Sequence, residues 1–197
     1  MRSLRLAVSL GAAIIAAGCA TQQYEATQAA PNPRVKFGKP ITNADIAPWD
    51  IDIRTTDGKG LPMGRGTAAE GKAVYDAKCL ACHGADAKGG TVYGTMVGGI
   101  GSFKTNTRVL TPGSMYPYAP ILFDYIRRSM PMDRPQSLTA DEIYAVSAYI
   151  LNLNGIIPAG AVMDQNTLAQ VQMPNRNGFI IDDRPDTKAA RCMTNCR

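Results

Sequence analysis

Cys79-Leu-Ala-Cys82-His83 sets two thiols beside an imidazole in one short segment. Two thiols at this spacing can add across the vinyl groups of a haem as thioethers, and the adjacent histidine then lies under the iron as its proximal ligand. The rival chemistries need neighbours that are missing. A thioredoxin-like dithiol would sit beside a βαβ pattern, and none surrounds the motif. A zinc site would need further ligands, and His83 is the only histidine of the chain. Cys79 and Cys82 are therefore read as covalent attachment points for haem c, with His83 as an iron ligand.

The single histidine decides more. Bis-histidine ligation within the chain is excluded, and no second Cys-x-x-Cys-His occurs, so one haem is expected. The sixth ligand is then a methionine, whose thioether favours reduced iron and raises the potential. Met130 and Met132 both fall in Arg127-Arg-Ser-Met-Pro-Met-Asp-Arg-Pro135. The prolines at 131 and 135 restrict that loop and lack amide donors, which suits a rigidly held ligand. Met130, directly before Pro131, is preferred, and Met132 is the alternative. Met96, Met163 and Met173 are read as fillers of core gaps.

Helices must carry these groups. Thr67-Ala-Ala-Glu70 fits a capping box and predicts a helix that runs through Gly71, Val74 and Tyr75 toward Cys79. Residues 84–113 hold eight of the nineteen glycines and are expected to loop around the haem. Ala119 to Ser129 carries Ile121, Leu122, Tyr125 and Ile126 at helical spacing and stops at Pro131. Thr139-Ala-Asp-Glu142 is a second capping box, opening a helix with Ile143, Val146, Tyr149, Ile150 and Leu153 on one face and Gly155 at its C-terminus. Tyr75 and Tyr149 are expected to pack where the first and last helices cross, with Gly71 permitting the close approach. Residues 41–66 are read as an arm without regular structure, and a short helix is expected near 166–171. Tyr116, Tyr118, Arg127 and Arg128 are candidates to hydrogen-bond haem propionates.

Composition sets the surroundings. The 197 residues are 45% apolar and 19% charged, as in a globular protein. The net charge of +5 includes Arg2 and Arg5, and no basic run or basic–aromatic stripe points to nucleic acid. Those two arginines, followed by the apolar stretch Leu6 to Ala17, read as an export signal too short to span a bilayer. Ala16, Ala17 and Gly18 before Cys19 resemble a lipobox, so residues 1–18 are taken as a lipoprotein-type signal and Cys19 as the lipidated N-terminus. The competing reading is a conventional cleavage, for instance after Ala20. Cys192 and Cys196 most simply form a local disulfide closing a very small loop. Export and thioether formation both belong outside the cytoplasm, so the chain is expected in the periplasm, on the membrane surface if Cys19 is acylated. The organisation expected is 1–18 signal, 19–66 tether and N-terminal arm, 67–155 haem domain and 156–197 C-terminal wrapping tail.

Gly71, Tyr75, Cys79-Leu-Ala-Cys82-His83 and Leu138-Thr-Ala-Asp-Glu-Ile-Tyr-Ala-Val-Ser-Ala-Tyr-Ile150 resemble a class I cytochrome c. Narrower segments are Tyr116-Pro-Tyr-Ala, Leu122 to Pro131, Met173-Pro-Asn-Arg-Asn-Gly-Phe179 and Arg191-Cys-Met-Thr-Asn-Cys196. Together these are similar to the cytochrome subunits of sulfite dehydrogenase and of the sulfane dehydrogenase in the Sox sulfur-oxidation system. The resemblance covers roughly residues 48–197. It implies an all-α fold, a small class I cytochrome c domain with an extended N-terminal arm and C-terminal tail. It also implies an electron-accepting subunit without substrate chemistry of its own. The partner implied is a molybdenum-cofactor dehydrogenase subunit, and a cytochrome or oxidase is the downstream acceptor. The family implies Met130 as ligand and usually places an aromatic where this chain has Met132. Two rival functions are a free or lipid-anchored shuttle between another dehydrogenase and a terminal oxidase, and a haem-based sensor with a labile sixth position.

Overall fold

The computed structural model describes residues 38–182. The export segment, Cys19 and the Cys192–Cys196 pair lie outside the described residues. The chain divides into two units, Met1–Asp45 and Ile46–Arg197. At the end of the first, Thr42 donates from both its backbone N–H and its hydroxyl to the Asp45 carboxylate, opening the single turn α1 (Asn43–Ile46), whose last residue begins the second.

In the second unit, helices surround a core built from α2 (Ala68–Lys78), α5 (Pro120–Ser129) and α6 (Ala140–Leu153). Shorter elements join them: α3 (Leu80–His83), α4 (Pro112–Met115), and the strands β1 (Arg65–Thr67) and β2 (Val162–Asp164). Both capping boxes read from the sequence are formed. Thr67 and Glu70 satisfy each other's backbone amides at the start of α2, and Thr139 and Glu142 do so at α6. A third, Thr111 with Ser114, opens α4. The described residues are mostly helical with one small two-stranded sheet, consistent with the expected all-α class. Among the described residues no helix is long and apolar enough to cross a membrane.

The sheet corrects the reading of residues 41–66 as irregular. Arg65, Gly66 and Thr67 pair antiparallel with Asp164, Met163 and Val162. Three residues joined to a partner so distant in sequence leave no alternation to read. Behind β2, Met163, Leu168, Val171 and Met173 are buried, so the tail completes the core, and the expected short helix near 166–171 is a 3₁₀ turn at Leu168–Gln170. The long loop at 84–113 is interrupted by two more such turns, Ala85–Ala87 and Ser102–Lys104.

α2 crosses α6 where the side chains are smallest. A Cβ on Gly71 would stand 1.9 Å from the carbonyl oxygen of Ala145, and one on Gly66 would stand 2.3 Å from the Ala145 amide nitrogen. Beside this contact, Tyr75 and Tyr149 meet with ring centroids 5.4 Å apart. At the other end of α2, Lys78 pairs with Glu142 on α6. The Lys78 ammonium and the Thr139 backbone amide hold the Glu142 carboxyl below its ordinary pKa.

Two outcomes follow from this crossing. Gly71→Ala removes a helix-interior glycine, worth about 1 kcal/mol in its favour. It also drives a methyl into backbone, costing at least about 3 kcal/mol. The net effect is a clear loss in denaturant midpoint of the haem-loaded protein, and unchanged stability would contradict the contact. Glu142→Gln should cost about 0.5–1 kcal/mol at neutral pH. A depressed carboxyl pKa stabilises the fold above the ordinary carboxylate range and ceases to do so as pH falls through the depressed value. The difference from wild type should therefore vanish in acid.

Candidate haem site

The Cys–His motif is built onto the end of α2. The Cys79 N–H donates to Tyr75 O at 2.8 Å, the His83 N–H to Cys79 O at 3.0 Å, and the Gly84 N–H to Leu80 O at 2.8 Å. The chain thus keeps spiralling through α3, and positions i, i+3 and i+4 bring Cys79, Cys82 and His83 to one side of the turn. Gly84 then leaves the spiral at φ 74°, packed so closely against Gly89 that a Cβ would meet its carbonyl oxygen at 2.0 Å. Two tyrosines hold this exit. Tyr75 donates its hydroxyl to Gly84 O at 2.7 Å, and Tyr149 donates to the Asp86 carboxylate at 3.2 Å. Burial pushes the Tyr75 hydroxyl up to about 12, so it remains a donor. The pair was expected to be core alone; the structure adds an anchoring role for each hydroxyl.

The motif opens onto a cavity of about 210 Å³ that contains Cys79, Cys82, His83, Met130, Met132, Ile126, Val146 and Ile150 in its walls. A second cavity of about 320 Å³ is walled by Leu110, Met115, Tyr116, Leu122 and Tyr125. Both include His83, Tyr93, Met96, Ile126, Met130 and Ile150, so they are two lobes of one crevice. Its mostly apolar lining suits a large flat cofactor.

The donor chemistry fits haem c. Burial lowers the pKa of His83, leaving a neutral imidazole with a lone pair for a metal. Its Nδ1 is buried without a hydrogen-bond partner. Burial also pushes the Cys79 thiol up to about 11, against the attraction of Lys78, so it stays protonated until modified. Cys82 is exposed. Among the described residues no group of three or more His, Cys, Asp or Glu gathers as a metal cage.

Met130 closes α5. Its N–H still donates to Ile126 O at 3.0 Å, while φ −123° and ψ 142° end the helix. It is half-buried and lines both lobes. Met132 is 62% exposed and lines one. Met96, read as a core filler from the sequence, in fact lines both lobes. Met163 and Met173 are buried in the core as expected. Asn154 sets Met96 in place, donating to Met96 O at 3.1 Å and accepting from the Gly98 N–H at 3.0 Å. A C-terminal asparagine after an apolar helix reads only as a cap, so nothing in the sequence marked this clamp.

The propionate candidates divide. Arg128 is committed to Asp124 at 2.9 Å, to Asp52 at 2.9 Å and to Ile51 O, and Arg127 also reaches Ile51 O. Neither lines the crevice; both hold the segment before β1. Tyr118 lies under the Arg176 guanidinium at 4.6 Å. Tyr116 alone of the four faces a lobe.

Comparison with known proteins agrees with this geometry. The family model for cytochrome c matches residues 68–154. Among solved structures, the chain is similar to one in the crystal structure of the sulfane dehydrogenase SoxCD from Paracoccus pantotrophus. The two share 35% identity over 83% of this chain and 82% of that one, with a TM-score of 0.70. No curated protein sequence matches. With a helical scaffold, a Cys–Cys–His turn and an apolar crevice between them, the chain belongs to the cytochrome c family, as a class I haem protein of electron transfer.

Proposed function

We propose that this chain is a monohaem c-type cytochrome of the periplasm that receives single electrons from a molybdenum-cofactor dehydrogenase of the sulfite or sulfane type. The observation that carries the ligation is that His83 and Met130 line both lobes of one crevice, with Cys79 and Cys82 at its wall. Bound there, haem c supplies one-electron redox chemistry. The chain's own residues do the rest. Cys79 and Cys82 tether the cofactor, and His83 and Met130 keep coordination the same in both oxidation states. Ile126, Val146 and Ile150 exclude water, which limits reorganisation around the changing charge.

The partner is inferred from the 35% identity to a chain of SoxCD, together with the sequence segments shared with such subunits. Met132, Val92, Leu110 and Tyr125 are exposed where they border the lobes, an apolar rim through which electrons can pass outer-sphere. Phe179, Ile180 and Ile181 are exposed in the tail and support its role in the dehydrogenase interface. Lipidation of Cys19 would hold the complex at a membrane surface, and a cytochrome or oxidase would take the electron onward.

Met130→Leu should sharply weaken the long-wavelength absorption band that reports thioether–iron ligation and lower the midpoint potential, while Met132→Leu keeps both. The opposite pattern would transfer the ligand role to Met132. For the partner, the haem-loaded protein is mixed with a molybdenum sulfite or sulfane dehydrogenase and its sulfur substrate. Reduction of the haem in a stable complex is expected, weakened on deletion of 180–197. Reduction with no complex would favour the free shuttle, and no reduction would remove this partner class.

A further inference from the structure

Two thioethers flank Pro131, and one residue touches the second of them. Tyr93 donates its hydroxyl to the Met132 sulfur at 3.3 Å, joining two loops 39 residues apart in sequence. The Tyr93 ring also stacks on the His83 imidazole, with centroids 5.2 Å apart and planes inclined by 22°. Its backbone is pinned to the motif: its N–H points to Cys82 O at 3.4 Å, and its carbonyl accepts from the Gly90 N–H at 2.9 Å. Tyr93 thus spans the crevice from the proximal histidine to the methionine loop.

Resting on the reading of Met130 as ligand, we infer that Tyr93 is a positioning residue that selects between the two methionines. It occupies the Met132 sulfur with a hydrogen bond, leaving Met130 as the thioether available inside the crevice. The physical need is plain. Met130 and Met132 are chemically identical donors on either side of Pro131, and nothing in their side chains distinguishes them as ligands. Their surroundings do. Met130 is half-buried and its amide is tied to the end of α5, whereas Met132 is 62% exposed and its sulfur is engaged. A thioether is a weak acceptor, so the bond is a bias and not a lock. An ordinary hydrogen bond corresponds to about a fivefold change in an equilibrium constant, the upper bound for this weaker one.

Tyr93→Phe removes only the hydroxyl and keeps the ring over His83, so a purely structural role of the ring would leave ligation unmoved. The effect is read most clearly where Met130 cannot compete. In haem-loaded Met130→Leu protein, adding Tyr93→Phe should raise the ratio of thioether-ligated to other haem, by up to about fivefold. That fraction is measured by the long-wavelength absorption band and by the upfield methionine methyl signal in NMR of the reduced protein. Adding Met132→Leu to the double variant should abolish both signals, which identifies the incoming sulfur and excludes Met96. Covalent haem content and thermal midpoint confirm that each variant is folded. An unchanged thioether-ligated fraction on adding Tyr93→Phe overturns the inference while leaving Met130 as ligand intact. Retention of the full band in Met130→Leu, with its loss in Met132→Leu, overturns the ligand assignment itself and this inference with it.

Discussion

The fold depends on how closely backbone can approach backbone around Ala145. This residue on α6 lies beneath Gly71 of α2 and Gly66 of β1 at once, at distances that leave no room for a Cβ on either. Such contact is available only to glycine, at a propensity cost of about 1 kcal/mol in the helix interior. The return is that α2, β1 and α6 form one rigid corner. From that corner the rest of the site is measured out: Cys79 terminates α2, Tyr149 is one turn along α6 from Ala145, and β1 recruits the tail through β2.

Rigidity at the crossing is passed to the crevice by hydroxyls. Tyr75 and Tyr149 are buried side by side, and each spends its one donor on the loop that follows His83. A loop of glycines has no side-chain packing to define it, so its path after the motif is set by those donors and by the tight fit of Gly84 against Gly89. Asn154 does the same for the stretch around Met96 and Gly98 from the far end of α6. The opposite wall is held differently. Met130 sits at the last helical hydrogen bond of α5, and Arg128 fastens that helix to the segment before β1 through Asp124 and Asp52. A site for one-electron transfer benefits from walls that keep their positions when the charge inside changes.

The haem motif, the two capping boxes and the amphipathic last helix were legible because each is a local pattern with a local physical cause. A capping box is complete within four residues, and helical periodicity repeats every turn. Apart from the crossing at Gly71, Tyr75 and Tyr149, what could not be read were the features requiring two distant segments. The β1–β2 pair is three residues long, so its alternation is no pattern at all. Arg127 and Arg128 looked equally free to meet propionates, and only folding turned them toward Ile51 and Asp52. Met96 looked like filler because its lining of the crevice depends on Asn154, 58 residues away.

The sequence by itself determined the chemistry: two thiols and a single histidine in one turn, and a shortage of any other strong iron ligand but methionine. These are matters of residue type and count, which no fold can alter. Tertiary structure decided which identical groups face which environment. It placed Met130 at both lobes and Met132 in solvent beside Tyr93, because burial and hydrogen-bond partners are set by the meeting of α5 with loops remote in sequence.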